Sequence, residues 1–123
     1  LGDAIGLSKS DWVEPLATSW TGMQSSAKAI LDDCFVLIES HDADGESWQT
    51  LETSPTSQHH DVVAFLDEER GYAHFGRISK VGQQSTLVSK LGTGPIVHGT
   101  TQRTSLRVSG TFDKVQLFRQ IEQ

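Results

Sequence analysis

Cys34 and His74 are the two side chains of this chain whose chemistry combines most readily. A thiol becomes a good nucleophile when an imidazole takes its proton and a helix N-terminus stabilises the thiolate, and such a pair attacks acyl carbons. Two placements of Cys34 stay open. If its helix begins near Ser25, the thiol lies mid-helix on the apolar face, where a free cysteine behaves as a small hydrophobe. If the helix restarts with Asp33 as its N-cap, Cys34 falls in the first turn, where the macrodipole favours a thiolate. Asp32 and Asp33 oppose thiolate formation by like charge unless they face away or cap the helix. His74 alternates with Tyr72, Gly76 and Ile78 along one strand face, which is equally the place of an ordinary strand histidine.

Other constellations carry less chemistry. Ser40, Asp42, Asp44 and Gly45 match positions 1, 3, 5 and 6 of a calcium loop, but position 12 is Leu51, which cannot ligate, and Glu52 misses by one. An acidic loop is the expectation there. His59, His60 and Asp61 lack further ligands at zinc spacing and read as a solvated loop entering a strand, so no metal is expected. Gly92-Thr93-Gly94-Pro95 has no Gly-Lys-Ser/Thr ending and reads as a turn, not a phosphate cradle. The Ser25-x-x-Lys28 spacing arises by chance at a serine-rich helix start.

These groups must be positioned by a chain of 123 residues, the size of one domain, with no break in composition that would divide it. Its 36% apolar residues can support a core without metal or disulfide staples, so no cofactor is implied. Sixteen acidic residues against ten basic ones give a net charge of −6, and the basic ones form no stripe, which argues against a nucleic-acid partner. A single cysteine excludes an internal disulfide. The longest apolar run, Cys34 to Ile38, is far short of the ~20 residues that cross a bilayer. A soluble protein is expected, cytoplasmic or secreted as part of a longer chain, because the sequence begins at Leu1 and not at Met.

The elements follow from periodicity. Ser10 and Asp11 ahead of Trp12, Val13 and Leu16, with Glu14 and Pro15 in the first turn, predict a short helix near 11–20. Met23, Ala27, Ile30, Leu31, Cys34, Leu37 and Ile38 recur every three or four residues and predict a helix over 23–41. Turn formers dominate 41–60, which reads as a long loop. Beyond it, runs at 61–66, 72–79, 85–89, 96–98, 105–109 and 115–119 predict strands separated by polar turns. The expected fold is α+β: one domain with a helical part over about 8–41, a loop over about 41–60, and an antiparallel sheet over about 61–120.

Asp33-Cys34, then Asp61-Val62-Val63-Ala64-Phe65, then His74-Phe75-Gly76-Arg77-Ile78 stand in an order that resembles the small papain-like cysteine hydrolases, the NlpC-like and CHAP-type amidases. Leu87 to Gly92, with His98 beyond, is similar to the strand that carries a third polar residue in that family. The resemblance covers roughly residues 30–120. Phe35 and Val36 stand where the family has Ser and Gly, and its upstream aromatic-Gly-Gly block is absent unless Trp20-Thr21-Gly22 is a remnant. The resemblance implies a papain-like sheet with helices packed on it and a thiol-dependent amide hydrolase: a peptidase, peptidoglycan amidase or deamidase. Cys34 would attack, His74 would shuttle the proton, and Ser89 or His98 would orient His74. The partner would be a peptide or amide substrate. The other reading is a non-catalytic acidic module, of the immunity type or a papain-like domain without its chemistry, that binds a basic protein.

Overall fold

The computed structural model describes residues 29, 31–90, 96–106 and 111–121. Six strands dominate them: β1 (Phe35–Asp42), β2 (Val62–Asp67), β3 (Gly71–Val81), β4 (Gln84–Lys90), β5 (Ile96–Gly99) and β6 (Lys114–Gln120). A 3-10 segment, Ser47–Thr53, lies between β1 and β2, and one short helix, α1 (Thr101–Ser105), between β5 and β6. The strands form one antiparallel sheet in the order β1-β6-β2-β3-β4-β5. The architecture is mostly β, an open antiparallel sheet with few short helices.

β2 explains why the sheet is built around it. Val62, Val63, Ala64 and Phe65 are all fully buried, because β2 lies between β6 and β3 and is covered on both faces. Val63 and Phe65 join Ile78, Leu87, Val115 and Leu117 on one face, where Trp48 and Leu51 of the 3-10 segment pack over them. Val62 and Ala64 point the other way, to Leu31, Phe35 and Phe118. This alternation is the two-residue period of a strand. On the first face Trp48, Phe65 and Phe112 meet edge to face, with centroids 5.3–6.5 Å apart. The Trp48 indole N–H, which needs a partner when buried, donates to the Ala43 carbonyl at 3.1 Å.

Turn chemistry fits each reversal. Gly82 takes a φ of +62° between β3 and β4, where Val81 pairs with Gln84 across a two-residue turn. Asp67 closes the β2–β3 turn by accepting from the Glu69 and Arg70 N–H groups at 2.9 and 3.2 Å. Those bonds, Glu69's above all, hold its carboxyl below the usual range.

Several expectations need correction. The helix over 23–41 does not run through: residues 31–34 are helical, and Phe35–Asp42 is strand β1, paired to β6 from Phe35↔Gln120 to Asp42↔Lys114. The reason is tertiary: the β-favouring run Phe35-Val36-Leu37-Ile38 finds a partner strand some eighty residues later, and ladder hydrogen bonds override helical spacing. The loop over 41–60 contains the 3-10 segment, because Trp48 and Leu51 have a sheet face to cover. Of the run expected as a strand at 105–109, Ser105 ends α1 and Leu106 follows it as a turn, while residues 107–109 lie outside the described residues; α1 is capped by Thr100, whose hydroxyl accepts from the Arg103 N–H at 3.0 Å. The strands near 61–66, 72–79, 85–89, 96–98 and 115–119 are present within one or two residues of those bounds. The helix near 11–20 and the Gly92–Pro95 turn lie outside the described residues. Among the described residues, no helix is long and apolar enough to cross a membrane.

Candidate functional site

The sheet decides which of the expected site residues can meet. Cys34 is the last helical residue before β1; its carbonyl accepts from the Ile121 N–H at 2.8 Å, and its partly buried side chain packs against the Leu31, Phe35, Val62, Ala64 and Phe118 cluster. It therefore stands at the C-terminal end of its helix and not in a first turn. His74 pairs with Phe65, its ring centroid 5.9 Å from that of Phe65, and Phe65 belongs to the cluster on the other face. Directly paired residues of an antiparallel sheet share a face. Cys34 and His74 consequently lie on opposite faces, with the sheet between them.

Ser89 does lie on the face of His74. It pairs with Gly76, two residues along β3 from His74, which makes the two side chains diagonal neighbours. A Cβ at Gly76 would come within 2.9 Å of Ser89 Oγ and 2.8 Å of Leu87 Cγ, so those side chains fill the space that Gly76 leaves. Ser89 is 3% exposed. Ser89 Oγ and His74 Nε2 are both buried without a hydrogen-bond partner among the described residues. Burial pushes the His74 imidazole down to about 4, which keeps it neutral at pH 7. His98 sits exposed on the edge strand β5, opposite Val88, and so faces away from His74 and Ser89.

The other motifs serve structure. His59 Nδ1 accepts from the Lys80 N–H at 2.8 Å, continuing the edge of β3, and its ring meets that of His60 at a tilt of 56°, centroids 3.9 Å apart. His60 takes a φ of +76°, and desolvation, followed by the neighbouring His59 and Arg77, lowers its pKa. Asp61 is 2% exposed and is gripped by Arg119, Nε to Oδ1 at 3.0 Å and a terminal nitrogen to Oδ2 at 2.9 Å, while the Gln58 N–H donates to Oδ2 at 2.8 Å. Glu52, also buried, accepts from the Thr101 N–H and hydroxyl at 3.1 and 2.5 Å and so ties the 3-10 segment to α1. Among the described residues, no three or more His, Cys, Asp or Glu side chains gather as metal ligands.

One constellation was not expected. Glu39 and His41 of β1 pair with Leu117 and Val115 and so share the face covered by the 3-10 segment. Ser47 opens that segment, and its exposed Oγ lies 2.9 Å from His41 Nδ1. The other ring nitrogen, His41 Nε2, is buried and 3.5 Å from Glu39 Oε1, with no aligned hydrogen bond. Glu39 Oε2 in turn accepts from Thr56 Oγ1 at 2.6 Å. The sequence signal was the Glu-x-His alternation, which places two side chains on one face of a strand but far apart on a helix.

Comparison with protein-family models, with curated proteins and with solved structures gives no match.

Proposed function

We propose that this domain works by binding a basic protein partner and that its thiol takes no part in chemistry. The observation that carries the proposal is the placement of Cys34 and His74 on opposite faces of one sheet. An activated thiol needs a base within hydrogen-bond reach and favours a helix N-terminus; Cys34 packs in an apolar cluster at a helix C-terminus. The papain-like resemblance enters the proposal as ancestry without the chemistry, with an immunity-type module as the equivalent description.

Charge supports the binding side. Where β1 ends, the β2–β3 turn reverses and β6 begins, Asp42, Asp44, Glu46, Glu68, Glu69 and Asp113 are exposed, and Arg70 and Lys114 are the basic residues of those segments. Lys114 is already paired with Glu68 at 3.2 Å. A predominantly acidic surface on a chain of net charge −6 steers and holds a partner of the opposite sign.

The test is the rate of Cys34 alkylation by iodoacetamide against pH, in the native protein, in His74→Ala and in the unfolded chain. The expected result is labelling slower than in the unfolded chain and indifferent to His74. Fast labelling that persists below pH ~7 and slows in His74→Ala would restore the amidase reading. The binding side is read with a synthetic oligolysine peptide by calorimetry. Affinity should fall with added salt and in Asp44→Lys/Glu68→Lys, and an affinity unmoved by either would sink it.

A further inference from the structure

We infer that Ser47, His41 and Glu39 form a hydroxyl-nucleophile site that acts on neutral or cationic acyl esters. This inference is independent of the partner-binding proposal and can stand or fall without it. The three groups are adjacent in sequence of contact: Ser47 Oγ is 2.9 Å from His41 Nδ1, and His41 Nε2 is 3.5 Å from Glu39 Oε1, within ion-pair distance and without an aligned hydrogen bond. Glu39 is held from behind by Thr56 Oγ1 at 2.6 Å, and the Thr56 carbonyl accepts from Arg119 at 2.7 Å, which anchors the arrangement to the Asp61 clamp. Ser47 is exposed, whereas the His41 and Glu39 side chains retain 20% and 27% of their surface, so the nucleophile is open to solvent and its supports are sheltered.

The tautomer follows from the neighbours. A carboxylate facing Nε2 favours the proton on that nitrogen, which leaves Nδ1 to accept from the Ser47 hydroxyl. Either ring nitrogen can act as the base; what matters is hydrogen-bond contact with the nucleophile and an orienting group on the far side. His41 is thus the base and Ser47 the nucleophile, with Glu39 and Thr56 as positioning residues.

In the reaction, Ser47 Oγ bonds to the ester carbonyl carbon as its proton passes to His41 Nδ1. The tetrahedral adduct collapses, the bond to the leaving oxygen breaks, and the Nδ1 proton goes to that oxygen to release the alcohol. Water then attacks the acyl-serine and gives a proton to Nδ1. The Oγ–carbon bond breaks, Oγ takes that proton back, and the carboxylic acid leaves. Ester and water become acid and alcohol, with no other reactant. Substrate charge is set by the surroundings: Asp42, Asp44 and Glu46 lie exposed between His41 and Ser47 and repel carboxylate- or phosphate-bearing esters.

The experiment treats the full chain, in a Cys34→Ala background that removes thiol acylation, with a fluorophosphonate probe and separately with p-nitrophenyl acetate. Intact mass and peptide mapping follow the adduct. One adduct on Ser47 is expected, absent in Ser47→Ala and formed at least tenfold more slowly in His41→Gln, with a pH profile that His41→Gln flattens. Glu39→Gln should displace that profile while the circular dichroism stays that of the parent, a change that a purely structural glutamate would not produce. A p-nitrophenyl ester carrying a carboxylate should react more slowly than the acetate. If His41→Gln fails to fold, the Ser47→Ala and Glu39→Gln results decide alone. Adducts on lysines only, no adduct, or Ser47 labelling indifferent to His41 or Glu39 would overturn the inference.

Discussion

His74 should make the stability of this domain fall with acid, and the size of the effect follows from its environment. Its imidazole lies against Phe65 and is pushed by burial from the ordinary 6.5 down to about 4. In the unfolded chain the same ring takes a proton below pH ~6.5. Between these two values the unfolded state binds a proton that the folded state refuses, so the stability held above pH ~6.5 is lost as pH falls and levels off below ~4. At about 1.4 kcal/mol per pH unit, the loss is at most about 3–4 kcal/mol, a large part of the ~5–15 kcal/mol that holds a domain together. Replacing His74 with Phe removes the titrating group and keeps a ring beside Phe65. Urea unfolding of both proteins at half-unit steps from pH 7.5 to 4 gives two curves whose difference in slope isolates His74, because packing changes from the substitution do not vary with pH. The wild type should lose about 2–3 kcal/mol more than His74→Phe across that range. Parallel curves would refute the reasoning, as would an NMR titration in which the His74 ring protonates near 6.5.

Two further substitutions probe the supports of the sheet. Gly76→Ala must push Leu87 Cγ and Ser89 Oγ away from contacts of 2.8 and 2.9 Å, and is expected to lower stability by about 1–3 kcal/mol in thermal or urea unfolding; an unchanged melting temperature would mean that β4 yields there. Asp61→Ala leaves the Arg119 guanidinium and the Gln58 N–H without their buried acceptor, at a cost of about 2–3 kcal/mol, discounted because Arg119 is 29% exposed. Amide exchange should then accelerate first at Gln58 and His60; uniform acceleration across the sheet would show that the clamp is not local.

Much of the sheet could be read from local pattern. β2, β3, β4, β5 and β6 announce themselves because their runs are short, rich in Val, Ile, Leu and Phe, and bounded by turn residues. The Gly82 turn and the Asp67 turn carry their own local chemistry and needed no tertiary knowledge. β1 could not be read that way. Leu31, Cys34, Leu37 and Ile38 satisfy a helical period, and the same stretch from Phe35 satisfies a strand. Pairing with β6 chooses between them, and that partner lies at the far end of the described chain. The 3-10 segment was hidden for a related reason: Trp48 and Leu51 are too few to show a period, and only the sheet face beneath them makes them a unit.

The same ambiguity governed the candidate site. Taking 35–41 as helix put Cys34 on a helix that could begin beside it, and it scattered Glu39 and His41 around a cylinder. As a strand, the stretch ends the helix at Cys34 and sets Glu39 and His41 side by side, facing Ser47. For Cys34 and His74 the decisive quantity is parity, the face to which each side chain is assigned. In a strand buried on one side, apolar alternation reveals that face; in β2, where Val62, Val63, Ala64 and Phe65 are all buried, it does not. The three sequence blocks that resemble a thiol hydrolase therefore specify which strands are present and leave open on which side of them each group emerges. Register supplies the answer: Phe65 opposite His74 assigns the imidazole to the Trp48 face, and Ala64 opposite Phe75 assigns the neighbouring rings to the side where Cys34 packs. A one-residue slip of β3 against β2 would exchange those faces, which is why a resemblance in residue order alone does not amount to a Cys–His pair.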